Sequence, residues 1–290
     1  MFKRSVLGAI TALLIIVVAP SAFAVKLVAL SIGVSGYPGN AYLPSPVKDA
    51  TLVAESLADF GFQVRLVKDP DLATLKDEVE AFIAAARGAE VAIIYFSGHG
   101  IQVNGEAYMM PRDETANDSM AIGRLVERLD KAGVVFKFVI VDACRNNPYL
   151  DRDGKPRGNA GINAGAAERR QMGSHSLVTF ASAPGQSAQD WGSKVGYSLY
   201  TAAFVQTLKK YSRIEVQQLT QQTRALVRSV TVDAGKEAQD PWESSSMLRA
   251  VYFERMAGGA VVAAGSRVSG SDRGILGTSP SDRGRALPNS

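Results

Sequence analysis

Residues 91–100 read VAIIYFSGHG, an unbroken apolar run followed by Ser97-Gly98-His99-Gly100. Such a run is what a β-strand covered on both faces looks like. The next comparable run, VVFKFVIV at 134–141, ends in Asp142-Ala143-Cys144. Between them Ile122, Leu125, Val126, Leu129 and Ala132 recur at helical spacing, and Gly133 stops the pattern. Two strands joined through a helix run parallel, so their carboxyl ends share one edge of the sheet. Ligand sites of open α/β sheets form at that edge. Topology alone therefore predicts that His99 and Cys144 share a rim.

The same alternation extends outward. VKLVALSI (25–32) reads as a strand, and SPVKDATLVAESLADFG (45–61) as a helix. Ser45 is expected as N-cap, Pro46 as the first helical residue and Gly61 as the stop. FQVRLVKD (62–69) is a second strand. An amphipathic helix from Leu72 to Ala86 leads back to the strand at 91. The hairpin after it is expected to turn at Asn104-Gly105. SLVTFAS (176–182) is a fifth strand, helices follow at about 197–211 and 215–232, and SMLRAVYF (246–253) is expected as the sixth strand. Alternating β and α elements predict an α/β domain: a mostly parallel six-stranded sheet with helices on both faces, a three-layer sandwich.

The flanks differ in character. The chain opens MFKRSVLGAITALLIIVVAPSAFAVK. Lys3 and Arg4 precede an apolar stretch too short to span a bilayer comfortably, and Ala22-Phe23-Ala24 fits an A-x-A cleavage site. Residues 1–24 are thus expected to be a cleaved signal peptide, giving an exported, periplasmic or secreted protein with no stable membrane anchor. The domain is expected over 25–256. The Gly/Ser/Arg-rich stretch from 257 to 290 is expected to be a disordered tail. Residues 150–175, rich in Gly, Asn, Arg and Ala, are expected to form a mobile surface loop. Formal net charge is only +4 and the basic residues are scattered, which argues against a nucleic-acid partner.

Cys144 is the one cysteine, so no internal disulfide is possible. A thiol with a pKa of about 8.5 is mostly protonated at neutral pH, and a nearby imidazole can take its proton. His99 is read as that base and Cys144 as the nucleophile. The glycines flanking His99 are read as a sharp turn, and the amides of Gly100 and Cys144 as donors to an oxyanion, each worth about 3 kcal/mol in the transition state. His175, the other histidine, is the weaker candidate base. If β geometry continues, Asp142 points the same way as Cys144. A carboxylate there is better suited to binding a substrate cation than to assisting the thiol, although an Asp capping the following turn is an equal competitor. GVSGYPG (33–39) lacks phosphate-loop spacing and reads as a turn-rich loop. Two histidines and one cysteine are too few for a usual zinc site, and no metal or cofactor is expected.

YFSGHG and VDACRNNP resemble the caspase-like cysteine peptidases, specifically their bacterial metacaspase-type members. ALSIGVSGY, LPSPVKDA, FASAPGQSAQD, SLYTAAFVQTL and QDPWESSSM occur in the expected order, so the resemblance covers about 26–254. It implies a caspase-like fold, a His99–Cys144 dyad, oxyanion donors at Gly100 and Cys144, and cleavage of protein or peptide substrates after Arg or Lys. It implies a basic-selecting pocket containing Asp142, Asp49 and Ser97. Ser31 and Val34 stand where such sequences often carry Val and Asn. The competing expectation is a caspase-fold interaction module that no longer cleaves.

Overall fold

The computed structural model describes residues 25–103, 106–114, 120–144, 173–183 and 196–255. The expected signal peptide, the Asn104-Gly105 turn, the 257–290 tail and all but the last three residues of the 150–175 segment lie outside them.

A twisted sheet occupies the centre. Its strands in chain order are β1 (Leu27–Gly33), β2 (Gln63–Lys68), β3 (Val91–Val103), β4 (Glu106–Met109), β5 (Phe136–Cys144), β6 (Ser176–Phe180) and, later, β8 (Trp242–Ser245). The six-strand path runs β2-β1-β3-β5-β6-β8, and β4 pairs with the far end of β3. Every neighbour on the path is parallel except β8 against β6. Helices α1 (Pro46–Ala58), α2 (Leu72–Ala85), α3 (Ile122–Lys131), α4 (Leu199–Lys210) and α5 (Val216–Asp233) flank it.

Two cores result, one on each face. Residues of α2 and α3 pack on Ile32, Ile94, Phe96 and Val139. Residues of α1, α4 and α5 pack on Ile93, Tyr95, Phe138 and Ile140. Adjacent residues of β3 thus enter opposite cores, and both must be apolar, which is why the run beginning at Val91 has no polar gaps. Each large side chain so buried stabilises the fold by about 1.5–3 kcal/mol.

Helix α1 is set by Pro46 at its first position and by close approach to β1. A Cβ on Gly33 would lie 2.4 Å from the Pro46 carbonyl oxygen, so only glycine admits the helix here. Ser31 Oγ donates to the Ala50 carbonyl at 2.7 Å and fastens the two elements further. Ser45 occupies the N-cap position but makes no side-chain cap bond.

Three sequence expectations need correction. The strand starting at Val91 continues through His99 to Val103, because β4 pairs with Gly100–Val103 and holds the chain extended. There is no sharp turn at Gly-His-Gly. The sixth strand is Trp242–Ser245, antiparallel to β6. The 246–253 stretch instead leads to β9 (Tyr252–Glu254), which pairs with β7 (Arg213–Glu215) in a separate two-stranded sheet. Leu248 within it is 81 % exposed, so that apolar run does not mark a buried strand.

Candidate active site

Past Ser97 the sheet changes partners. β1 ends at Gly33, opposite Ser97, and Val34 N–H closes that ladder on the Ser97 carbonyl. Beyond it the loop 34–43 and strand β4 line β3. His99 lies in this stretch, half-buried, with its ring centroid 4.4 Å from that of Tyr37. Its Nε2 is 2.8 Å from the Ala41 carbonyl oxygen. A carbonyl only accepts, so Nε2 carries the proton of the neutral ring and Nδ1 is the basic nitrogen. The His99 N–H donates to the Tyr37 hydroxyl at 2.8 Å.

On the next strand, β5 continues extended through Asp142 to Cys144, and the register pairs His99 with Cys144. Neighbouring strands lie about 4.8 Å apart, so the two Cα atoms are adjacent. Backbone polar groups alternate along a strand. The His99 N–H and C=O face Tyr37 and Met110, so those of Gly100 face the opposite edge, toward β5. Gly100 and Cys144 together stand at the end of the β3–β5 ladder. A Cβ on Gly98 would meet the Tyr37 hydroxyl at 2.6 Å, so this glycine serves close packing rather than a turn.

Two positions deeper, Ser97 pairs with Asp142. Asp142 is 5 % exposed and Asp49, reaching in from α1, is fully buried. Ser97 Oγ donates to Asp49 Oδ2 at 3.1 Å, and the Ser198 N–H donates to Asp49 Oδ1 at 2.9 Å. Thr201 Oγ1 donates to Asp142 Oδ2 at 2.6 Å, the Ser198 hydroxyl donates to the same oxygen, and the Tyr95 hydroxyl reaches it at 3.5 Å. Asp142 therefore binds the start of α4; the turn after β5, which it was alternatively expected to cap, lies outside the described residues. No Lys or Arg among the described residues pairs with either carboxylate. Burial, then the neighbouring Asp142, pushes the Asp49 carboxyl up to about 8. Burial pushes Asp142 up as well, against the hydroxyls of Ser198, Thr201 and Tyr95 that favour its charged form. Two acids sharing a dry site cannot both ionise easily without a cation between them.

The structure thus brings His99, Gly100, Ser97, Asp49 and Asp142 together at the rim where Cys144 ends β5. It excludes His175. That residue precedes β6 at the other edge of the sheet, where its Nδ1 accepts from the Leu248 N–H at 3.0 Å and its ring packs on Phe136. Ser176 stands opposite Lys137, seven residues or about 23 Å from Cys144 along β5. Sequence reasoning missed Tyr37, the Ala41 carbonyl, Tyr95, Ser198 and Thr201. Ser198 had a usable signal: its side chain accepts from the Thr201 N–H and caps α4. The other four carry no pattern that a single sequence displays.

Among the described residues no helix is long and apolar enough to cross a membrane. No curated protein matches the chain. A family model does: the caspase domain aligns with residues 26–253. The chain belongs to that family of cysteine peptidases, whose members act on protein substrates, and its α/β sandwich with a mostly parallel sheet is consistent with the caspase fold.

Proposed function

We propose that this caspase-domain chain is an exported cysteine endopeptidase that cuts peptide bonds after Arg or Lys through a Cys144–His99 dyad. The observation that carries the reading is the buried pair of carboxyl groups Asp49 and Asp142, which no Lys or Arg among the described residues neutralises, with Asp142 two positions along β5 from the His99–Cys144 rung. A guanidinium or ammonium entering between them relieves their repulsion and replaces the water they have lost.

His99 Nδ1 takes the proton of the Cys144 thiol, while Nε2–H stays on the Ala41 carbonyl and fixes the ring. The thiolate attacks the scissile carbonyl carbon. Negative charge collects on the carbonyl oxygen, and the amides of Gly100 and Cys144 stabilise it as the last rung of the ladder yields to substrate. The C–N bond then breaks, and the imidazolium returns its proton to the leaving amine. Water, deprotonated by His99, attacks the thioester, releases the carboxylate product and restores the thiol. Asp49 and Asp142 hold the basic side chain so that the bond after it lies at the sulfur, with Ser97, Ser198, Thr201 and Tyr95 orienting the two carboxylates.

The deciding experiment profiles the protein from Val25 onward against a peptide library, beside its Cys144→Ala variant. Cleavage confined to Arg and Lys bonds and lost in the variant is expected. Activity retained by Cys144→Ala would falsify the dyad. Absent cleavage, with Cys144 unlabelled by an Arg-based electrophile, would leave a non-cleaving caspase-fold module. Export is tested separately: amino-terminal sequencing of protein from the periplasmic or secreted fraction should begin at Val25, and recovery of the intact amino terminus in the cytoplasm would refute it.

A further inference from the structure

The hydroxyl of Tyr37 sits inside a β-ladder. Met110 N–H donates to the His99 carbonyl at 3.1 Å, one half of an antiparallel pair. In such a pair the two residues exchange both bonds. Here the second bond is interrupted: His99 N–H donates to the Tyr37 hydroxyl at 2.8 Å, and that hydroxyl donates to the Met110 carbonyl at 2.8 Å. The wedge arrives on the loop 34–43, which is fixed at both ends. Asp69 accepts from the N–H groups of Ser35 and Gly36 at 2.6 and 2.8 Å, and Leu43 N–H donates to the Ser35 carbonyl at 3.0 Å. The same loop carries the Ala41 carbonyl that holds Nε2. Gly98 leaves the space the hydroxyl needs, since a Cβ there would stand 2.6 Å from it.

We propose that Tyr37 is a positioning residue for the base His99, its hydroxyl holding β3 and β4 apart at that residue so that the imidazole is placed between Ala41 and Cys144. This rests on the dyad assigned above. Without the hydroxyl, His99 N–H and Met110 C=O can pair directly, closing a gap of up to about 5 Å to about 3 Å. The backbone of the base would move by 1–2 Å, roughly the misplacement that costs 10²-fold in rate. Tyr37 is 3 % exposed and packs its ring on His99, so its loss should fall on the chemical step rather than on substrate binding.

The test compares Tyr37→Phe, which keeps the ring, with Tyr211→Phe, which deletes a hydroxyl bonded to Gln222 Oε1 far from the rim. For Tyr37→Phe on an arginyl peptide, kcat should fall about 10²-fold with KM within about twofold. Alkylation of Cys144 by iodoacetamide should slow, and the His99 backbone amide and Nε2–H resonances should shift. Tyr211→Phe should leave kcat and both resonances in place. Gly98→Ala, which crowds the hydroxyl instead of deleting it, should reproduce the kcat loss. An unchanged kcat in folded Tyr37→Phe, or a loss residing in KM, would overturn the proposal. So would loss of the fold in both Tyr37→Phe and Gly98→Ala, because positioning requires a folded variant. If the wild-type chain cuts no peptide, the peptidase reading fails; the alkylation rate and His99 resonances then decide on Tyr37 alone, unchanged values refuting it.

Discussion

Strand β5 buries an ionisable side chain near each end, and the two ends solve the problem differently. At the amino end Lys137 is 1 % exposed, and its Nζ donates to Asp130 at 2.6 Å and to the Val134 carbonyl at 3.3 Å. Lys137 holds the Asp130 carboxyl below its usual range. At the carboxyl end Asp142 lies beside Asp49, and both are pushed up. One end is a closed ion pair. The other is a pair of acids that no Lys or Arg among the described residues neutralises, the opening that the proposed basic substrate would fill. Natural chains tolerate such an imbalance where function needs it, so the second end is the informative one.

The comparison breaks most visibly at the open end. Asp142→Asn should cut kcat/KM for arginyl peptides by about 10²–10⁴-fold, the 3–5 kcal/mol expected when one partner of a buried charge pair is removed. The same variant should match or exceed the wild type in melting temperature at pH 9. Lost stability with unchanged selectivity would make Asp142 a structural acid like Asp130. At the closed end the pattern should reverse. Lys137→Ala should destabilise by about 2–4 kcal/mol through lost packing while kcat/KM stays near wild type, and Lys137→Met should restore most of the loss. Denaturant melts beside the peptide assay check this.

A smaller effect sharpens the contrast through pH. Asp49 has a folded pKa above its ordinary value of 3.8, so the folded state holds the proton more tightly than the unfolded chain. Its contribution to stability is full below about pH 4 and is lost as pH rises toward about 8. Binding of a basic substrate should strengthen over the upper part of the same window, as the second carboxylate ionises. Melting temperature and kcat/KM should therefore move in opposite directions between pH 7 and 9, and Asp49→Asn should flatten both. Parallel curves would show that the carboxylates do not titrate as a pair. Asp130, held low, should act the other way: its stabilising share is present above the unfolded pKa and disappears as pH falls through the lowered one. The smallest change is expected for Ser198→Ala, which removes a helix cap and a donor to Asp142 together. It should cost about 1 kcal/mol of stability and about tenfold in kcat/KM.

What the sequence disclosed follows from what periodicity can carry. The runs before Ser97 and Asp142 are apolar because both sheet faces are covered, and that pattern was enough to set β3 and β5 side by side. The spacing of Asp142 and Cys144 predicted a shared direction, and β5 does stay extended to Cys144. Polar ligation carries no such rhythm. Thr201 and Tyr95 turn their hydroxyls to Asp142 through contacts more than forty residues apart in sequence, and Tyr37 lies in a loop that reads as mere turn chemistry. The flanking glycines misled for a physical reason. They suggested bending, whereas Gly98 leaves room for a neighbouring side chain. The stretch 246–253 misled because its apolar residues serve a two-stranded ribbon and a solvent-facing bend.

Gly33 has a bearing on how far selectivity can be redesigned. Because main chain meets main chain there, with no side chain to trim, the height at which Asp49 enters the cleft is cast into the scaffold. In the proposed basic-selecting pocket, exchanging the acids for neutral or basic groups would change what is recognised. It would not readily change how long the recognised side chain must be, since a shallower or deeper floor would require lifting a whole helix off the sheet.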